Sequence, residues 1–384
     1  EILRCLVGSE MCIRDRRTTV IPPWREDGLD ENEETLADML ARNGYSNRAI
    51  IGKWHLGHTR KVHYPINRGF SHFYGHLNGA IDYFDHMREG ELDWHNDWET
   101  CYDKGYSTEL ITQEAVRCIN TYEKEGPFLL YVAYNAPHTP LQAQEKDIEL
   151  YCDDFGSLTP KEQKRVTYQA MVSCMDRGIG TIVDALKKKG IMDNTFLIFF
   201  SDNGPAGVPG SSSGKLRGRK FDEWDGGVRV PAVFYWKRAE SNYKNLSSQV
   251  TGFVDIVPTL KELVGDKNRP ERAYDGISIL PLLIGSTSCI DRNFYLGCGA
   301  VVNKDYKLIR KGRKPGLNLP QDFLVDYQTD PYEKKNASNG NEQIVRSLYQ
   351  VALKYDTITP CLPEIPYGKG REGFKAPVEW KVTR

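Results

Sequence analysis

Three apolar runs of strand length, each running into a polar loop, constrain this chain more than any other feature. They are "RAII" before GKWHLGH, "FLLYVAY" (Phe128–Tyr134) before NAPHTP, and "TFLIFF" (Thr195–Phe200) before SDNG. "VRVPAVFYW" reads as a fourth. A strand that is apolar on both faces must be covered on both, which is the situation in a mainly parallel sheet flanked by helices. The helices are legible between the runs. One is predicted from Asn32, with Leu36, Met39 and Leu40 on one face and Gly44 as its stop. Others are predicted over Ser107–Glu125 and over Pro160–Lys189, which ends at Gly190. The fold class expected is therefore α/β. After Gly285 the texture changes to short strands (Phe294–Leu296, Tyr306–Arg310, Phe323–Tyr327) and a helix over Glu342–Lys354, which implies a smaller α+β subdomain.

Ligands of such sheets bind beyond the carboxyl ends of the strands. The three polar loops are thus expected to converge on one crevice, bringing Lys53, His55, His138, Asp202 and Asn203 together. By itself each has an ordinary reading. Asp202-Asn203 before Gly204 makes an Asx turn as readily as a calcium ligand pair. Lys220, in LRGRKFDEWDGG, fits a solvated charged turn. His138 stands between two prolines that stiffen it. Trp94 and Trp98 suit a sugar platform or a core equally well. "GSSSG" (Gly210–Gly214) fits a serine-hydrolase elbow on paper, but a polar Ser-Gly run supplies neither the entering strand nor the leaving helix.

Bulk composition narrows the partners. The 384 residues carry a formal net charge of −1. No summed positive field exists to hold nucleic acid or an anionic membrane, and no apolar run reaches the roughly 18 residues of a membrane span. The nine cysteines form no CxxC pair, which argues against zinc and thioredoxin-type sites. Asn245 and Asn336 begin glycosylation sequons.

Taken in order, GKWHLG, PHTP, SDNG and LRGRK with Asp225-Gly-Gly five residues beyond the lysine resemble the sulfatase family. "NEETLADMLARNGY", "YPINRGF", "YNAPHTPLQA", "MDRGIG", "YDGISILPLL" and "TDPYEKKN" extend the match over roughly residues 18–340, nearest the arylsulfatase B-like branch. The resemblance implies an alkaline-phosphatase-like fold and hydrolysis of sulfuric esters of carbohydrates or aryl groups. It implies Ca²⁺ on Asp202 and Asn203, with Lys53, His55, His138 and Lys220 around the sulfate. His138 and Lys220 would serve the leaving group, His55 would be the base that releases sulfate, and Lys53 would orient the nucleophile. It also implies a formylglycine cofactor made by a formylglycine-generating enzyme, and a secreted, periplasmic or lysosomal location. Phosphate or phosphonate ester hydrolysis in the same cradle, or a catalytically dead binder of sulfated glycans, are the alternatives.

The match departs from the family at two places: neither the C-x-P-S-R motif nor the Asp-Asp metal pair that the family carries further upstream is in place here. Formylglycine derives from the cysteine of C-x-P-S-R, and no such motif occurs here; "CIRDR" (Cys12–Arg16) lacks its proline and serine. Residues 1–17 resemble adaptor read-through more than a signal peptide. The organisation expected is a non-native segment over 1–17, a catalytic domain lacking its N-terminal part over 18–285, and the smaller subdomain over 286–384, inactive as written.

Overall fold

The structure, a computed structural model, describes residues 20–237, 249–270, 272–313, 317–357 and 366–382. Cys12, the segment 1–17 and the Asn245 sequon lie outside the described residues. In chain order the elements begin with α1 (Leu36–Arg42), β1 (Asn47–Lys53) and β2 (His72–His76). Four two-residue strands follow: β3 (Met87–Arg88), β4 (Glu91–Leu92), β5 (His95–Asn96) and β6 (Glu99–Thr100). Then come α2 (Ser107–Thr121), β7 (Phe128–Ala133), α3 (Glu145–Ile148), α4 (Pro160–Lys189), β8 (Leu197–Phe200), α5 (Asp225–Val228) and β9 (Ala232–Tyr235). The C-terminal part holds α6 (Ile256–Val264), α7 (Leu280–Leu283), β10 (Phe294–Gly297), β11 (Ala300–Val302), β12 (Tyr306–Ile309), β13 (Phe323–Asp326) and α8 (Glu342–Asp356).

The central sheet runs β6-β5-β2-β1-β7, with β2, β1 and β7 parallel and the short β5 and β6 antiparallel at one edge. Both faces are covered, as the apolar runs require. Ala49 and Ile51 pack with Ile111, Ala115 and Cys118 of α2 on one face. On the other, Ile50 packs with Trp54, Phe70 and Phe73. Leu36, Met39 and Leu40 of α1 pack with Phe253, Ile256 and Val257 around α6. The α4 boundaries match the expected ones because both ends are specified chemically. Thr159 and Glu162 form a reciprocal capping box, and Gly190 closes the other end with φ +73°.

Some expectations need adjustment. Helix α1 starts at Leu36 rather than Asn32, where Thr35 accepts from the Asp38 amide as its cap. The fourth apolar run forms a strand only over Ala232–Tyr235, pairing antiparallel with β8. The intervening 201–231 segment contains only the four-residue α5, not the crossover helix that a parallel return needs. The C-terminal strands form one antiparallel sheet, β10-β11-β12-β13, covered by α8 through Leu348 and Ala352. The sequon residue Asn336 is used inside this unit: its Oδ1 accepts the Leu324 amide (3.0 Å) and its Nδ2 donates to the Asp322 carbonyl (2.9 Å). The chain then returns to the first half, where Trp380 is buried and donates from Nε1 to the Arg88 carbonyl (2.9 Å).

Candidate active site

The loop after β1 puts a lysine and a histidine on the same side by sinking the residue between them. Trp54 is fully buried and donates from Nε1 to the His63 carbonyl (2.8 Å). Lys53, paired with His76 across the sheet, and His55 flank it. Gly52, with φ +107°, allows β1 to lie against β7 here, since a Cβ would stand 2.1 Å from the Ala133 carbonyl oxygen. His55 itself holds a left-handed backbone (φ 57°), with its amide donating a hydrogen bond to the Leu77 carbonyl (3.0 Å). Its Nε2 lies 3.1 Å from the Ile21 carbonyl. Burial and then the charge of Lys53 push this imidazole well below the ordinary histidine range, so it is neutral at pH 7.

His138 comes from the loop after β7. Its amide donates to Asn135 (2.8 Å), and its carbonyl accepts the Tyr83 hydroxyl (2.9 Å). Nδ1 lies 2.7 Å from the Thr139 carbonyl. A carbonyl can only accept, so Nδ1 carries the proton and Nε2 keeps the lone pair. Burial, Lys53 and Lys220 together push its pKa down to about 4.

Asp202 and Asn203 follow β8. Asn203 donates from Nδ2 to the Gly204 carbonyl (2.9 Å), leaving Oδ1 as its ligand atom. Burial would raise the Asp202 carboxyl, but the positive surroundings of Lys53, Lys220 and His138 more than offset it, and its pKa is lowered. Lys220 is brought in by a loop tied on both sides: its amide donates to Pro205 (2.9 Å), and Gly204 donates to Gly227 (3.0 Å).

Lys53, His138, Asp202, Asn203 and Lys220 line one cavity of about 1380 Å³. Side chains of β7 and β8 (Leu129, Tyr131, Ile198, Phe200) form its apolar depth. His55 stands beside it, close enough to feel both Lys53 and His138. Lys53 and Lys220 both act on His138 and Asp202, a local excess of positive charge that suits an anion, and two neutral imidazoles add proton-transfer groups. Asp202 and Asn203 Oδ1 suit a hard cation, but two oxygens fall short of the six to eight calcium takes.

Other candidates resolve differently. Trp94 is fully buried against His86 and Tyr74, so it belongs to the core. Trp98 stacks on Tyr64 at 4.5 Å. The GSSSG serines line the cavity from an irregular loop with no helix leaving it. Sequence reasoning missed the support behind Lys53 and His55. Buried Asp93 accepts the Leu77 and Asn78 amides (both 2.9 Å) and contacts His95 (3.0 Å), fixing the segment to which the Trp54 and His55 amides bond. A separate group, His72, Glu114 and Cys118, sits at the opposite end of β2 with Arg117 against Glu114.

The family model described as Sulfatase matches residues 13–266. Mouse arylsulfatase J is 34% identical over 271 residues, covering 68% of this chain and 44% of that protein. Human N-acetylgalactosamine-6-sulfatase is 30% identical over 273 residues, covering 67% and 49%. The crystal structure of Ps i-CgsB in complex with k-i-k-neocarrahexaose superposes with a TM-score of 0.81 at 27% identity, covering 95% of this chain and 84% of that one. The chain thus spans about half the length of the curated relatives it matches.

Proposed function

The chain belongs to the sulfatase family, and from that premise we propose that the cavity mouth is the anion-binding part of a sulfuric ester hydrolase centre for a sulfated carbohydrate. The observation that carries this reading is that Lys53, His138, Asp202, Asn203 and Lys220 all line one cavity, with both lysines acting on His138 and Asp202. Lys53 and Lys220 balance the charge on the sulfuryl oxygens, which grows as the ester oxygen departs. His138 offers Nε2 as an acceptor while the site is empty. A bound anion opposes the field of the two lysines and favours its protonated form. From that state it delivers a proton to the leaving oxygen beside Lys220. His55, neutral and buried, is the base for the release of sulfate. Asp202 and Asn203 would hold Ca²⁺, which would add positive charge to the anion site. Two protein oxygens imply weak binding by this chain. The formylglycine implied by family membership would supply the attacking oxygen.

No C-x-P-S-R motif lies within these 384 residues, so we infer that the chain as written holds sulfate esters without turning them over. A form carrying that motif would depend on a formylglycine-generating enzyme. The family points to a secreted, periplasmic or lysosomal location. Among the described residues no helix is long and apolar enough to cross a membrane.

Calorimetry with sodium sulfate and sodium phosphate, beside an aryl-sulfate assay, tests the reading. Sulfate should bind, Lys220→Ala should weaken it about tenfold or more through loss of a charge-assisted hydrogen bond, and no turnover should appear. Preference for phosphate would favour the phosphoryl alternative. Turnover abolished by Cys12→Ala would place the nucleophile at Cys12 and overturn the inactivity inference.

A further inference from the structure

Phe221, next to Lys220, combines two features that neither packing nor backbone preference explains. It is among the exposed large hydrophobic residues, at 59% relative accessibility. It also holds φ +78°, a left-handed backbone that is an outlier for a bulky side chain. The turn around it shows how odd this is. The Asp222 amide donates to the Arg219 carbonyl (2.8 Å), closing a four-residue turn with Lys220 and Phe221 at its centre. A positive φ at the third position of such a turn is where glycine or asparagine is ordinarily found. The Asp222 carboxylate reinforces the turn by accepting the Arg219 amide (3.0 Å). Backbone strain of this kind is concentrated at ligand-binding positions, where the surrounding structure holds it in place.

The phenyl ring is also in a definite place. The Lys220 ammonium lies 5.5 Å from its centroid, within cation–π range. Lys220 lines the cavity, and its charge acts on His138 and Asp202. The ring thus stands beside the ammonium that a bound sulfate would contact, exposed to solvent and next to the residues that line the cavity rather than among them. Among the described residues it has no stacking partner of its own. A sulfate oxygen at hydrogen-bond distance from Lys220, roughly 2.8 Å, leaves the sugar that bears it within reach of the phenyl face.

We propose that Phe221 is the stacking platform for the pyranose ring that carries the sulfate, and so a specificity-determining residue for carbohydrate over simple sulfate. This rests on the anion-site reading above. The ring presents a flat apolar face to the C–H face of a sugar, and Lys220 holds the charged substituent beside it. The strained turn keeps the two side chains in one unit.

The test compares Phe221→Gly and Phe221→Trp with the parent chain by calorimetry, using sodium sulfate and N-acetylgalactosamine 6-sulfate as probes. The parent should bind the sugar ester more tightly than sulfate. Phe221→Gly should bind sulfate within about twofold of the parent but lose about tenfold for the sugar ester, near the upper end of what an aromatic contact provides. Phe221→Trp should retain sugar binding. Glycine accepts this φ without strain, so Phe221→Gly should melt no lower than the parent, which separates lost recognition from lost folding. Equal sugar-ester affinity in the parent and Phe221→Gly overturns the platform while leaving the anion site intact. Loss of both ligands in Phe221→Gly also overturns it, since the ring would then serve Lys220 and not the sugar. A parent chain that binds neither probe refutes the anion-site reading and this proposal with it.

Discussion

His138 shows how one residue's surroundings decide its chemistry. Burial, Lys53 and Lys220 push its pKa down to about 4. Imidazole NMR titration of the ligand-free chain should show that midpoint, and saturating sulfate should move it up; an unmoved midpoint would mean that sulfate does not bind beside it. His72 is pushed the other way. Burial alone would lower it, yet Cys118, Glu114 and Asp97 raise it to about 10. Its ring nitrogens lie 2.9 Å from Asp97 and 2.6 Å from Glu114. A raised histidine contributes its full stabilisation below its ordinary pKa of 6.5 and loses it as pH climbs through about 10. Glu114, which Arg117 and His72 hold at about 2 despite burial, stays charged across that window. His72→Gln should therefore cost more stability at pH 6 than at pH 10. Urea unfolding at the two pH values checks this, and an equal loss at both would show that the ring acts by packing alone.

At the scale of elements, the SDNG loop depends on contact with the Asp225-Gly-Gly segment. A Cβ on Gly204 would stand 1.8 Å from the Gly226 carbonyl oxygen, and the Gly204 amide donates to Gly227. Gly204→Ala must push β8 and the Lys220 loop apart. It should cost about 1–3 kcal/mol, as overpacking does, and weaken sulfate binding; denaturant melts and calorimetry read the two effects. The elements legible in the sequence are those whose signal is local. β1, β7 and β8 are continuous apolar runs, and α4 carries its cap and its terminal glycine. β2 escaped notice because HFYGH mixes two histidines and a glycine into a buried strand. Its polarity is met by distant partners, such as the Glu114 carboxylate 2.6 Å from His72 Nε2. β11 is only three residues long. Of the site, residues standing just after strands could be read from their positions, and their proposed roles came from family resemblance. Phe221 could not be singled out, because a backbone dihedral leaves no mark in a sequence.

At the scale of the whole molecule, a buried lysine is one of the contacts that join the C-terminal sheet to the rest of the chain. Lys307 of β12 has almost no exposure and contacts both Asp225 and Glu333, the latter at 2.6 Å. It also donates to the Glu223 carbonyl (3.1 Å), Tyr327 donates to Asp225 (2.9 Å), and Glu333 accepts the Asp225 amide (2.7 Å). Lys307→Ala would take the buried counter-charge from Glu333 and leave Asp225 with only the exposed Arg229, and it should cost about 3–5 kcal/mol, measurable by chemical denaturation. A loss under 1 kcal/mol would mean that water reaches the cluster. Asp225 lies in the same loop as Lys220, so the C-terminal sheet is one of the anchors of that loop. Anyone building chimeras between this chain and a relative inherits a rule from this. Exchanging the C-terminal sheet without its lysine and glutamate leaves the donor loop with a foreign counter-charge, and the hybrid would be mismatched at its seam before any substrate is offered to it.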